Sequence, residues 1–166
     1  MEAFKKSEFE AAGIHGPFVQ LNQSLSQAGT LRGLHFQRAP KAQGKLVQVL
    51  SGEIFDVAVD IRRGAPTCGR WIGATLSAAN RRMLFVPAWC AHGFYVTGGQ
   101  PAEVLYLTTA EYSAPDEGGI AWNDPACAID WPNLPEFVSD RDRQWAPFEP
   151  IDWTDSNHNN AGDDAS

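Results

Sequence analysis

The histidines are the side chains best suited to moving protons near neutral pH, and the chain has four: His15, His35, His92 and His158. His158 stands in the polar run DSNHNNAGDDAS and His15 in the link IHGP, so both read as solvated. His35, within Arg-Gly-Leu-His-Phe-Gln, and His92, within Ala-His-Gly-Phe, lie in strand-like runs beside glycine. They are the candidates for general acid–base work, against the plainer reading of a hydrogen-bonded strand histidine. A metal site fares worse on spacing. Two imidazoles on one strand face need a His-x-His pair, yet the residue two after His35 is Gln37, and no carboxylate follows before Glu53. Only a partial set of His35, His92 and Asp56 remains, so the expectation from spacing is no metal. Lys45 and Asp56 form the second candidate pair, because a lysine turned into a core needs an opposite charge near it. The three cysteines, Cys68, Cys90 and Cys127, are odd in number and far apart, which fits a reducing compartment and forms no CxxC pair.

Strands must position these groups. FVQLNQS, LRGLHFQ, KLVQVLSGEIFDVAVDI, RWIGATLS, RMLFVP, HGFYVT and AEVLYLTT are short, rich in β-branched and aromatic residues, and punctuated by Gly, Pro and Asn. That rhythm predicts an all-β sandwich, jelly roll or small barrel, with one short amphipathic helix in residues 1–13. Ser51-Gly52 reads as the turn of a hairpin, in which Leu50 pairs with Glu53, Val47 faces Asp56, and Lys45 lies diagonally beside Asp56. Beyond Tyr112 the chain turns loop-rich, and Trp122 and Trp131 are expected to pin irregular segments to the barrel.

Composition sets the outer limits. At 166 residues and 43% hydrophobic, the chain suits one domain, taken as residues 1–150, followed by an acidic and disordered tail over 151–166. The net charge is −7, but Asp152, Asp155, Asp163 and Asp164 lie in that tail, which has no Lys or Arg. The remaining balance is mildly acidic and argues against a nucleic-acid groove. No apolar run approaches the roughly 18 residues of a membrane span, and the N-terminus MEAFKKSEFEAAG lacks a secretory signal, so a cytoplasmic location is expected.

Taken in order, LRGLHFQ, QGKLVQVLSGEIFDVAVDIRRGAPTCGRWIGATLS, FVPAWCAHGF, AEVLYLTTAEY, GGIAWNDP, IDWP and VSDRDR resemble the dTDP-4-dehydrorhamnose 3,5-epimerase family across residues 1–148. The resemblance implies a cupin-like jelly-roll β-barrel with short peripheral helices, a homodimer, no metal and no cofactor. It further implies proton removal and return beside the ketone of a nucleotide-linked 4-keto-6-deoxyhexose, in dTDP-L-rhamnose or related deoxysugar synthesis. Such chemistry needs a base, a group for the enolate oxygen, and an acid on the opposite ring face. By resemblance, His35 is the base, Asp142 the carboxylate that orients it, Tyr106 the opposite proton donor, and Lys45 the group facing the ketone. Asp140 is the alternative to Asp142. His92, with Asp56, is implied to organise the ketone region. Arg32 is implied to fork onto the diphosphate, and Gln20, Asn22 and Tyr112 to touch nucleotide or sugar.

The chain also departs from the family pattern. Family members carry an earlier strand with an Asp-x-Arg-Gly-like motif that lends an arginine to the neighbouring subunit, and this sequence starts after it. Weak nucleotide affinity is therefore expected, unless Arg38 or Lys41 substitutes. Gln48 and Leu107 replace basic residues common in the family, but their parity is opposite to that of their catalytic neighbours, so they need not face the sugar. The alternative functions are an epimerase acting at one carbon, a ketoisomerase, or a non-catalytic sugar-nucleotide-binding barrel.

Overall fold

The computed structural model describes residues 3–153. After a helix α1 (Lys6–Ala11) come eight principal strands: β1 (Gln20–Ser26), β2 (Thr30–Gln37), β3 (Lys45–Ser51), β4 (Glu53–Asp60), β5 (Trp71–Ser77), β6 (Met83–Val86), β7 (Cys90–Val96) and β8 (Ala102–Thr108). Two short strands, β9 (Glu117–Gly119) and β10 (Phe137–Val138), and a one-turn helix α2 (Asp140–Arg143) complete it. Each strand-like run of the sequence becomes a strand, and the helix expected near the N-terminus forms. The strands make two sheets, β1-β8-β3-β6 and β10-β2-β7-β4-β5, with β9 added to β2. The fold is an all-β jelly roll of the cupin-like kind.

The expected hairpin at Ser51-Gly52 does not form. β3 pairs with β6 and β8, whereas β4 pairs with β5 and β7, so this tight turn carries the chain from one sheet to the other. Gly52 (φ +75°) crosses there so close to the backbone of Pro101 that a Cβ would overlap its carbonyl oxygen. Of β1–β8, only β4 and β5 are consecutive strands of the same sheet. Lys45 and Asp56 consequently stand on different sheets rather than along one ribbon.

The interior divides by depth. Val47, Val49, Ile54, Leu76, Phe94, Val96 and Val104 pack the space between the sheets. A second apolar layer, Leu34, Phe36, Val57, Val59, Ile61 and Ile120, lies on the outer face of the larger sheet under the loops after β9. Trp131 packs edge-on to Phe55 and donates from Nε1 to the Trp122 carbonyl at 2.9 Å, so these tryptophans do secure the irregular segment. Residue 151 extends this layer: Ile151 bridges to Arg62, and Asp152 pairs with Arg63 at 2.8 Å. Composition places both residues in the tail, yet both are held to the barrel. The acidic run from Asp155, with His158, lies outside the described residues.

One irregularity in β2 shapes the site. Arg32 opposes Phe94 and His35 opposes His92, so three steps on β2 match two on β7. A regular strand would send residues 32 and 35 to opposite faces; the bulge turns both inward. Gly33 makes this possible. Its φ is +112°, and a Cβ there would stand 2.6 Å from the His92 carbonyl oxygen.

Candidate active site

His35 lies mid-sheet, with His92 opposite on β7 and Gly119 opposite on β9. Its Nε2 is 2.6 Å from Oδ1 of Asp142 on α2. Ser139 caps that short helix, its hydroxyl accepting from the Asp142 amide at 3.0 Å, and the Gly33 amide donates to Asp142 Oδ2 at 3.3 Å. Burial alone would raise the Asp142 carboxyl, but the His35 bond and charge, with the Gly33 and Ser139 contacts, hold it below the usual carboxylate range. An ionised carboxylate can only accept, so His35 donates from Nε2 and its Nδ1 is left with a lone pair. Burial pulls His35 below its ordinary value; the Asp142 bond and charge oppose this, while Lys45 and Arg141 reinforce it. The result is a neutral imidazole at pH 7, oriented by a carboxylate. Asp140 is exposed and takes no part.

His92 and Asp56 form a second, deeper pair. Nε2 of His92 donates to Oδ1 of Asp56 at 2.7 Å, and Oδ2 of this fully buried carboxylate has no hydrogen-bond partner. Lys45, 8% exposed, enters from the other sheet. Burial lowers its ammonium to about 8, against the pull of Asp56 and Glu117. The direct Lys45–Asp56 pairing expected from the hairpin is absent: among the described residues, no carboxylate oxygen lies within 4 Å of Nζ. Asp56 accepts its hydrogen bond from His92 and reaches Lys45 only through its field.

Tyr106 stands on β8, facing Val47 on one side and Asn22 on the other. Burial raises its phenol, partly offset by Arg32 and Arg141, so it remains a proton donor at neutral pH. The His35 imidazole therefore projects from one sheet, and the Tyr106 phenol and Lys45 ammonium from the other.

The remaining expected residues ring the mouth. Arg32 donates from Nε to Ser26 at 2.8 Å and leaves the rest of its fork exposed. Gln20 donates to Asn22 at 2.8 Å and accepts from the Tyr112 amide at 2.8 Å. Tyr112 donates to Glu117 at 3.1 Å, and Arg141 completes the group with bonds of 3.1 and 3.0 Å to the two Glu117 oxygens. Gln20, Asn22 and Tyr112 thus join Glu117 and Arg141 in one hydrogen-bonded group, and the charges of Arg32, Arg141 and Glu117 act on Tyr106, while Asp56 is fully buried. Sequence reasoning misses Glu117 and Arg141, because Glu117 stands in the loop-like run APDEGG and Arg141 reads as part of a solvated charge run. The adjacency of Arg141 to Asp142 is the available signal. Arg38 lies over the Phe36 ring, donates to the Glu117 carbonyl at 3.1 Å and lines an outer cavity with Arg63 and Pro150. Gln48 and Leu107 face outward, as their parity predicts.

No helix among the described residues is long and apolar enough to cross a membrane. A family model described as dTDP-4-dehydrorhamnose 3,5-epimerase matches residues 1–150. The chain is 52% identical over 139 residues to the protein of that name from Salmonella typhimurium, covering 82% of this chain and 75% of that one. It is 47% identical over 154 residues to the Shigella flexneri protein of the same name, covering 92% and 84%. Among solved structures it resembles the dTDP-6-deoxy-D-glucose-3,5-epimerase of Legionella pneumophila in complex with dTDP-4-keto-L-rhamnose. That likeness has a TM-score of 0.84 and 45% identity, covering 91% of this chain and 80% of that one.

Proposed function

Because the chain belongs to the dTDP-4-dehydrorhamnose 3,5-epimerase family, we propose that its cleft inverts carbons 3 and 5 of a dTDP-4-keto-6-deoxyhexose, in dTDP-L-rhamnose or related deoxysugar synthesis. The observation that carries the reading is the His35–Asp142 pair on one sheet opposite Tyr106 and Lys45 on the other. Nδ1 of His35 takes the proton beside the ketone, and Asp142 stabilises the imidazolium that results. The Lys45 ammonium, kept in register by the His92–Asp56 pair, offsets charge building on the enolate oxygen. Tyr106 returns a proton from the opposite face, which inverts the carbon. The proton taken by His35 and the one given by Tyr106 are different, so the imidazolium passes its proton to solvent and the phenolate regains one from it, with no change of oxidation state.

Arg32, Gln20, Asn22 and Tyr112 form the mouth that would take the diphosphate and nucleoside, with Arg32 offering a charged fork to phosphate oxygens. The reading includes a homodimer. Leu21 and Leu25 are 59% and 67% exposed on the outer face of the smaller sheet, beside Leu105 and Leu107, and a second copy would bury that patch. It also includes a cytoplasmic setting, which suits three unpaired thiols.

Incubation with dTDP-4-keto-6-deoxyglucose in deuterated water, followed by NMR of the sugar ring, tests the function. Label at carbons 3 and 5 is expected, lost in His35→Asn by about 10²–10⁴-fold. Label at one carbon would restrict the enzyme, and no label would make the barrel a binder.

A further inference from the structure

The carboxylate that orients His35 has one more partner, which the proton transfers just described do not use. Nε1 of Trp145 donates to Oδ1 of Asp142 at 3.3 Å, and this is the same oxygen that accepts from His35 at 2.6 Å. The indole also stands edge-to-face to the imidazole, with centroids 6.1 Å apart and planes at 69°. Its seat is made by glycine. Gly119 pairs with His35 across β9, and a Cβ at residue 119 would overlap the fused-ring carbons of Trp145. The backbone holds the approach from the other side, since the Ala121 amide donates to the carbonyl of Ala146, the residue after Trp145, at 2.9 Å. The turn that delivers Asp142 to His35 therefore delivers the indole as well.

We propose that Trp145 is a positioning residue for the base: its N–H shares the carboxylate oxygen that holds the imidazole, and its ring covers the pair against water. This inference rests on the assignment of His35 as the base. Two physical effects follow, with the same sign. A donor on Oδ1 spreads the negative charge of Asp142, so the carboxylate supports an imidazolium less strongly. An apolar ring beside the imidazole removes water that would otherwise solvate the cation. Trp145 thus keeps His35 unprotonated, and ready to accept a proton, at lower pH than Asp142 alone would allow.

The other charged and titratable groups around His35 come from every neighbouring element. They are Asp142 and Arg141 on α2, Lys45 on β3, His92 on β7 with Asp56 on β4, Glu117 on β9, and Tyr106 on β8. Substitution at residue 145 leaves all of them in the chain, so a changed titration reports the indole itself.

Trp145→Phe keeps a ring and removes the N–H, whereas Trp145→Leu removes both. Gly119→Ala leaves Trp145 in the sequence but pushes the ring from its seat. The direct readout is the titration of the His35 ring protons by NMR in the substrate-free protein, read beside the acid limb of the pH–rate profile for deuterium exchange. The His35 midpoint should rise by about half a pH unit in Trp145→Phe and by about one in Trp145→Leu. Gly119→Ala should shift it the same way. The acid limb should follow, moving to higher pH with the midpoint. An unmoved or lowered midpoint in any variant that keeps the native spectrum elsewhere overturns the proposal. If Trp145→Leu fails to fold, Trp145→Phe and Gly119→Ala still decide. A raised midpoint in a protein that never exchanges substrate protons would uphold the role of Trp145 and sink the epimerase reading instead.

Discussion

Replacing Lys45 by Met should abolish turnover and make the protein more stable, and the size of that gain can be worked from the site. Burial brings the ammonium from 10.5 to about 8, even with the field of Asp56 included. A shift of that size means the folded state tolerates the charge less well than the unfolded chain does, by about 3 kcal/mol at pH 7. The sign follows from proton counting. Between pH 8 and 10.5 the unfolded chain binds more protons than the folded one, so stability rises with pH across that window and sits at its low plateau below it. Methionine has a similar length, stays neutral, and can lie along Val47 and Val86. Urea unfolding followed by tryptophan fluorescence should therefore show Lys45→Met more stable by about 3 kcal/mol at pH 7, equivalent to roughly 6 to 12 °C in Tm, and by less than about 1 kcal/mol at pH 10. Exchange of the sugar protons should be lost at both pH values. A variant less stable than the parent at pH 7, or a gap that does not narrow by pH 10, would refute the account of a lysine held at a cost for catalysis.

Three further outcomes follow from the same geometry. Asp142→Asn should slow exchange by less than loss of the base does, and should move the acid limb of the pH–rate profile to lower pH, because His35 loses the charge that favours its cation; an unchanged limb would break the pairing. Tyr106→Phe should keep deuterium exchange better than inversion, since abstraction survives without the opposite donor; equal loss in NMR exchange and product assays would remove Tyr106 from that role. Leu21→Glu combined with Leu107→Glu should convert a dimer to a monomer in light scattering, because both side chains share the outer patch of the smaller sheet; a dimer that persists would place the interface elsewhere.

The strand pattern was legible because most half-buried strands alternate or carry β-branched runs, and their side chains were the evidence. Sheet membership was not. KLVQVL-SG-EIFDVAVD has the local chemistry of a hairpin, and nothing within it says that β8 and β7 will compete for the two edges. Long-range pairing decided the outcome, as it does wherever strands outnumber tight turns. The orientation of Arg32 and His35 was hidden for a related reason. Period-two reading sends them to opposite faces, and only the extra residue at the Gly33 bulge brings them to one. The individual site residues were legible mainly through resemblance, because an inward lysine, a strand tyrosine and a DRDR run each have an ordinary structural explanation.

What sequence could least foresee is how the buried charges share partners. Asp56 and Asp142 each hold a histidine through one oxygen, yet their second oxygens meet opposite conditions: that of Asp142 receives the Gly33 amide, and that of Asp56 receives nothing. A satisfied carboxylate fixes its histidine and is itself fixed, which suits a base that must return to one geometry after each transfer. A buried carboxylate with one oxygen unpartnered keeps a negative field that Lys45 feels without a bond to hold the ammonium, which the proposed mechanism requires if that ammonium is to meet a ketone. The unsatisfied oxygen and the unpaired ammonium are each unfavourable to the fold alone. Together they leave a positive charge without a bonded partner in the interior, which is what the proposed mechanism asks of the group that would meet an enolate oxygen.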